Sequence, residues 1–374
     1  MSDRMTTRGH LSTDPSTSSS RLNGGLMLSH DQSTGAVDEL PRSRLQAYLA
    51  ANLDGFAELG EIAKFSGGQS NPTYLLTAQA KRYVLRRKPP GHLLPSAHAV
   101  DREFRVLQAL QGSAVPVPRP LLYCADESVL GTPFYLMEFV AGRGFWDPTL
   151  PEVDSAERSV MYADMGRVLA ALHQLQPNAI GLADYGRPGR YFERQIHRWT
   201  EQYRGSETEP LVAMEELIDW LPAHLPSDDG QVSLVHGDFR LDNMIFDESG
   251  RVVALLDWEL STLGHPFADI AYQCAQWRLP VGTLRGLRGV DRRALGIPSE
   301  EEYVEIYCRR RGLAGIDNWR FYLAFSLFRL AAICQGVYRR ALDGNASDRS
   351  AAGFGERARV IAAHATELLS GRTA

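Results

Sequence analysis

The sequence predicts an α+β chain in two lobes, a small antiparallel-sheet lobe followed by a mainly helical one. Three observations point there. Short β-like runs at 61–66, 73–78, 82–87 and 134–140 crowd the first part of the chain, separated by Gly-rich or polar turns. After Gly142 the apolar pattern changes to a helical period. One β interlude, at 232–235, 244–246 and 252–256, then interrupts the helices.

Residues 1–36 are rich in Ser, Thr, Gly and Asp without an apolar period, which predicts a disordered tail. Met27 lies just ahead of the first ordered signals and is an alternative start. A short helix follows at 41–53, with Leu45, Tyr48, Leu49 and Leu53 on one face. Strands and one helix, ending near Leu110 with Phe104 and Leu107 on its apolar side, complete a first lobe at 37–141. The second lobe covers 142–374. It opens on Asp154-Ser-Ala-Glu157, the form of a capping box. The helix behind it aligns Met161, Met165, Val168, Leu169, Leu172 and Leu175. Further helices are expected at 191–204, 209–221, 267–277, 299–311, 319–342 and 355–370.

With 374 residues and 44% hydrophobic content, the chain can bury a core in each lobe. A net charge of -5 leaves no basic footprint for a nucleic-acid partner. Cys124, Cys274, Cys308 and Cys334 show neither a CxxC pair nor metal-ligand spacing, so free thiols in a reducing compartment are expected. The apolar stretch 321–337 is interrupted by Arg329 and carries Ser326 and Gln335; it reads as a core helix rather than a membrane span. With no apolar leader pattern at the N-terminus, a cytoplasmic protein is expected.

The chemistry concentrates in His236-Gly-Asp238-Phe-Arg-Leu-Asp-Asn243 and in Asp257, at the end of the run 252–256. Phosphoryl transfer asks protein for positioning, Mg²⁺ and a carboxylate near the attacking hydroxyl. A strand–loop–strand hairpin delivers these at one end. Asp238 is placed as the base, and Asn243 with Asp257 as hard oxygen ligands for Mg²⁺. The pattern H-x-D-x4-N followed by an Asp is that of kinase catalytic loops, although Asp257-Trp258-Glu259 lacks the usual Gly. His236 reads as scaffold, His173 as a satisfied core histidine, and Asp269 as a helix cap or a brace for the loop.

On the nucleotide side, Gly67, Gly68, Gln69, Ser70 and Asn71 form a Gly-rich turn between the first two strands, where backbone N–H groups can approach phosphates. Val84-Leu85-Arg86 occupies the place of the A-x-K triplet of kinases, making Arg86 the phosphate cation and Lys88 the runner-up. Glu103 is its expected ion-pair partner. Glu138 and Val140 bracket the expected adenine hinge, where backbone groups do the recognition.

These motifs together resemble the aminoglycoside-phosphotransferase (choline-kinase-like) superfamily across residues 40–345. Within it, the chain is most similar to the kinase-like domain associated with acyl-CoA dehydrogenases. The resemblance rests on Phe65-Ser-Gly-Gly-Gln-Ser-Asn-Pro-Thr-Tyr-Leu-Leu76, Tyr83-Val-Leu-Arg-Arg-Lys-Pro-Pro-Gly91, Val235-His-Gly-Asp-Phe-Arg-Leu-Asp-Asn-Met-Ile-Phe246 and Leu256-Asp-Trp-Glu-Leu-Ser-Thr-Leu-Gly-His-Pro266. It implies a protein-kinase-like fold, and ATP- and Mg²⁺-dependent phosphorylation of a small-molecule hydroxyl. It also implies a hydroxyacyl-CoA as candidate substrate and an acyl-CoA dehydrogenase as candidate functional partner. Arg285, Arg288, Arg292, Arg293 and Arg309-Arg-Arg311 favour an anionic substrate over a polycation. The alternatives are an antibiotic, choline-like or sugar-amine kinase, a nucleotide-binding pseudokinase module, and, least supported, a dehydrogenase.

Overall fold

A computed structural model describes residues 40–65, 71–91, 98–344 and 349–369. The tail and Gly67, Gly68, Gln69 and Ser70 lie outside the described residues. The first lobe runs α1 (Arg42–Asn52), β1 (Ile62–Lys64), β2 (Thr73–Ala78), β3 (Lys81–Arg87), α2 (Val100–Ala109), β4 (Pro120–Cys124), α3 (Glu127–Leu130) and β5 (Phe134–Glu138). The five strands form one antiparallel sheet in the order β1-β2-β3-β5-β4.

Alternation along β3 decides where its charges go. Tyr83 and Leu85 face a cluster with Leu45 and Leu49 of α1, Leu76 and Leu136. Val84 faces the opposite way, into the core shared with the second lobe, together with Leu75, Tyr135 and Met137. The period of two then puts Arg86 on the inner face and Arg87 on the outer. Arg87 is buried there and donates to Thr132 Oγ1 at 3.1 Å.

The second lobe runs α4 (Ser155–Gln174), α5 (Tyr191–Ser206), α6 (Val212–Ala223), β6 (Ser233–Val235), β7 (Met244–Phe246), β8 (Val252–Leu255), β9 (Thr262–Gly264), α7 (Phe267–Arg278), α8 (Arg292–Leu295), α9 (Glu300–Arg311), α10 (Trp319–Leu342) and α11 (Phe354–Leu369). Asp154 caps α4 by accepting from Glu157 N at 2.8 Å. The return half of the expected box is absent, because the Glu157 carboxylate turns to Arg143 instead. The complete box is on α9, where Ser299 and Glu302 satisfy each other's backbone N–H groups.

The β interlude is not a single hairpin. β7 pairs with β8, while β6 pairs with β9, so two two-stranded ribbons carry the motif. α10 is long and apolar enough to cross a membrane, but 72% of its most apolar window is buried inside the protein. Tyr322, Phe325 and Phe328 bury on it, each contributing roughly 1.5–3 kcal/mol. Truncating Phe328 to Ala would cost about 3–5 kcal/mol.

Candidate active site

β6 ends at Val235 and the chain turns through His236 and Gly237. Gly237 has φ 82°, and a Cβ there would lie 2.6 Å from Leu260 O, so the turn requires glycine. Asp269 braces this turn from below. Fully buried on α7, it accepts from His236 N at 2.7 Å and Gly237 N at 2.9 Å. Pro266 occupies the helix cap position, which leaves Asp269 the bracing role of the two expected. Burial pushes its carboxyl pKa up, but His173, His236 and the backbone donors outweigh that and hold it below the ordinary value. His173 is buried between Asp269 and Tyr307, 3.3 Å and 2.8 Å away. From the other side, Arg329 of α10 donates to Gly237 O at 2.5 Å.

His236 spends both ring nitrogens inside the loop. Asp238 N–H donates to Nδ1 at 3.2 Å, and Nε2 donates to Leu256 O at 2.9 Å. These bonds tie the turn to the residue preceding Asp257, which is a positioning arrangement.

Asp238 is turned into a cavity of about 550 Å³ between the lobes. Tyr272 of α7 donates to its Oδ1 at 2.8 Å. Asn243 Nδ2 donates to Oδ2 at 3.0 Å, and Arg240 Nε lies 2.9 Å from that oxygen. Burial again raises the carboxyl pKa, yet Arg240, Tyr272, His236 and Asn243 win and hold it below its ordinary range. The group is therefore a carboxylate at neutral pH.

Asp257 follows β8 in a left-handed conformation, φ 65°, which turns it back toward the sheet lobe. Arg86 Nη2 lies 2.5 Å from Asp257 Oδ1 and 3.5 Å from Glu259 Oε2, and Arg86 Nε lies 3.0 Å from Glu103 Oε2. Burial opposes the charge on Arg86, but Glu103, Asp257 and Glu259 more than compensate and push its pKa up. Glu103 is 1% exposed and accepts from Asn71 Nδ2 at 2.7 Å and Tyr135 OH at 3.0 Å. The sequence thus places Asn71, Arg86, Glu103, Asp238, Asn243 and Asp257 around one cleft. Glu138, Phe139 and Val140 line its far wall, and the Glu138 side chain points away to Arg119.

Among the described residues no group of three or more His, Cys, Asp and Glu could cage a metal alone. Mg²⁺ is commonly held by one or two protein oxygens together with phosphates. The donors here suit that mode. Asn243 uses Nδ2 on Asp238, leaving its carboxamide oxygen, and Asp257 supplies a carboxylate on the same cavity.

Tyr272 and Glu259 were not singled out by sequence. Tyr272 sits inside a helix 34 residues beyond Asp238, and nothing local marks it. Glu259 was visible as the residue replacing Gly, but its partner Arg86 lies on a distant strand. The arginine cluster disperses. Arg285 alone of those named lines the cavity, 2.7 Å from Asp242. Arg288 pairs with Glu367, and Arg309, Arg310 and Arg311 close the last turn of α9, where positive charge suits the helix dipole.

A five-stranded sheet ahead of a helical lobe, with the loop and Asp257 at their junction, defines a kinase-like fold. The phosphotransferase enzyme family (APH) matches residues 61–322, and the chain belongs to it. It is 50% identical over 317 residues to acyl-CoA dehydrogenase family member 10 of Mus musculus, covering 83% of this chain and 30% of that protein. The chain therefore spans under a third of that relative's length. A Ralstonia eutropha protein crystallised under a provisional aminoglycoside-phosphotransferase description superposes with TM-score 0.82 at 47% identity, over 90% of this chain and all of that one. The aminoglycoside phosphotransferase APH(4)-Ia, crystallised with ADP and hygromycin B, shares the fold at TM-score 0.57 and 16% identity, over 88% of this chain and 99% of that one.

Proposed function

We propose that the protein transfers the terminal phosphate of ATP, with Mg²⁺, to a hydroxyl group of a small molecule, and that a hydroxyacyl-CoA is the acceptor. The observation that carries this is the convergence of Asp238, Asn243, Asp257 and Arg86 on one cavity. Asp238, held ionised, orients the acceptor hydroxyl and takes its proton. Asn243 and Asp257 hold the metal, which neutralises phosphate charge when bound. Arg86, fixed by Glu103, grips the phosphates; its bond to Asp257 is exchanged for them when nucleotide enters. Backbone groups near Glu138 and Val140 receive the base.

The acceptor reading has two supports. The cavity's wall beyond Asp238 is aliphatic, with Leu279, Leu330, Ile333 and Val337, a poor match for a polycation and a good one for an acyl ester. The relatives' acyl-CoA dehydrogenase names point the same way, and they make such an enzyme the candidate functional partner. A nucleotide-binding module without activity is disfavoured by the intact carboxylates.

The experiment is transfer of labelled phosphate from ATP, tested against hydroxyacyl-CoAs, aminoglycosides and choline, with Asp238→Ala as control. Labelled hydroxyacyl-CoA from the unaltered protein alone supports the reading. Transfer only to an aminoglycoside or choline would replace the acceptor. Absence of any transfer, with ATP binding unchanged in the variant, would leave the pseudokinase.

A further inference from the structure

One face of α7 runs along the cavity from Asp238. Tyr272, Gln276 and Leu279 follow at spacings of four and three, so they stack on one side of the helix. Tyr272 commits its hydroxyl to Asp238. One turn on, Gln276 is 7% exposed and lines the same cavity, and its Oε1 is buried with no hydrogen-bond partner. The cavity it lines has a charged side, with Arg240, Asp242 and Arg285, and an aliphatic one. Leu330, Ile333 and Val337 share one face of α10 and are only partly buried, turned to the cavity with Leu279. A buried carboxamide oxygen left unpaired costs about 1–3 kcal/mol. Such a group, in a cleft rather than in the core, marks a place where a ligand supplies the missing donor.

We propose that Gln276 is a specificity-determining residue that accepts, at Oε1, the N–H of a secondary amide in the non-reacting arm of the acceptor. A turn of the side chain toward the cavity presents the oxygen, and the aliphatic face of α10 contacts the methylenes beside the amide. The inference rests on the hydroxyl-kinase reading above and sharpens its substrate. A thin chain of methylenes interrupted by secondary amides is the pantetheine portion of a CoA ester. Choline has no N–H and no such chain, and aminoglycosides carry charged amines that an aliphatic wall disfavours.

The test compares two acceptors bearing the same hydroxyacyl group. One is the N-acetylcysteamine thioester, which has a single secondary amide; the other is an S-alkyl thioester of equal length, which has none. The unaltered protein is expected to prefer the amide by about tenfold in kcat/KM, expressed in KM, the equivalent of one hydrogen bond at about 1.4 kcal/mol. Gln276→Met is expected to erase that preference while leaving the S-alkyl substrate and ADP binding unchanged. Equal losses on both substrates would make Gln276 merely structural and overturn the inference. So would the absence of any amide preference in the unaltered protein, which does not depend on the variant folding. Both results leave the kinase reading intact. Failure of either thioester to be phosphorylated, with transfer to an aminoglycoside or choline instead, would remove the acceptor reading and this inference together.

Discussion

Asp238 is held by two donors, Tyr272 and Asn243, and by the Arg240 guanidinium beside it, and that surrounding explains both its charge and its orientation. A carboxylate held below its ordinary pKa is a weak base. It suits phosphoryl transfer, where the hydroxyl proton moves late and positioning dominates. Asp238→Asn is therefore expected to lower kcat by about 10²–10⁴-fold, with ADP affinity, measured by calorimetry, little changed. Arg86 is proposed to act on the other substrate. Arg86→Met should raise KM for ATP by about tenfold or more, the loss of one charge-assisted contact of about 1.5–3 kcal/mol, with Arg86→Lys recovering part of it. An equal effect of both substitutions on unfolding and on KM would assign Arg86 to lobe bracing instead. At this scale Asp238, Asn243, Asp257, Arg86 and Glu103 were legible, because their spacing is local or follows strand alternation. Tyr272, Glu259 and Gln276 were not. Tyr272 and Glu259 matter through a neighbour supplied by a distant element, and Gln276 through a cavity that only the fold assembles; sequence carries no sign of either.

The His236–Gly237 turn is held from two sides by elements that follow it in the chain, α7 through Asp269 and α10 through Arg329. Gly237→Ala forces a Cβ against Leu260 O at a positive φ, so a loss of more than about 1 kcal/mol in stability is expected, together with loss of transfer. Chemical denaturation reads the first and labelled ATP the second. The bracing also predicts a pH response. His173 is buried and its pKa is lowered, first by burial, then by Arg311 and His236, against the pull of Asp269. A lowered folded pKa means the unfolded state binds the proton more readily. The stability this confers is present above about pH 6.5, the ordinary histidine value, and is lost as pH falls through the folded value. Asp269, whose pKa is also lowered, adds a loss in the ordinary carboxylate range below it. Thermal midpoints measured from pH 8 downward should fall from about pH 6.5, and His173→Gln should flatten the upper part of that fall. Among elements, the periodic ones were plain in sequence: β2, β3, α4 and α10 follow their patterns closely. β4 was missed. It is one of the two edge strands and begins at Pro120, after Pro116 and Pro118, a composition that reads as loop and that an edge position tolerates. β9, of three residues, was missed because its partner β6 lies nearly thirty residues earlier and the pattern between them resembles one hairpin.

At the scale of the whole molecule, two lobes meet at a cleft, and each contributes what the other lacks. The sheet lobe brings the cation and its acid, Arg86 and Glu103; the helical lobe brings Asp238, Asn243 and Asp257. Arg86 to Asp257 is one of the contacts that span them, beside Arg86 to Glu259 and Arg102 to Tyr185 O. The aliphatic wall on α10 gives the cleft a direction, and in the proposed function it runs from nucleotide at the sheet to acceptor at the helices. The two-lobe plan was legible in the change from period two to a helical period at Gly142. The wall was not, since an apolar face on a helix reads as core until its neighbours are known. Phosphoryl transfer to a hydroxyl at Asp238 can be measured without an intermediary assay. Purified protein is incubated with labelled ATP, Mg²⁺ and hydroxyacyl-CoAs, and the acceptor is analysed for label beside the Asp238→Asn variant. A phosphate ester on the acceptor hydroxyl is expected with the unaltered protein, and about 10²–10⁴-fold less with the variant. Equal transfer by both proteins would contradict it.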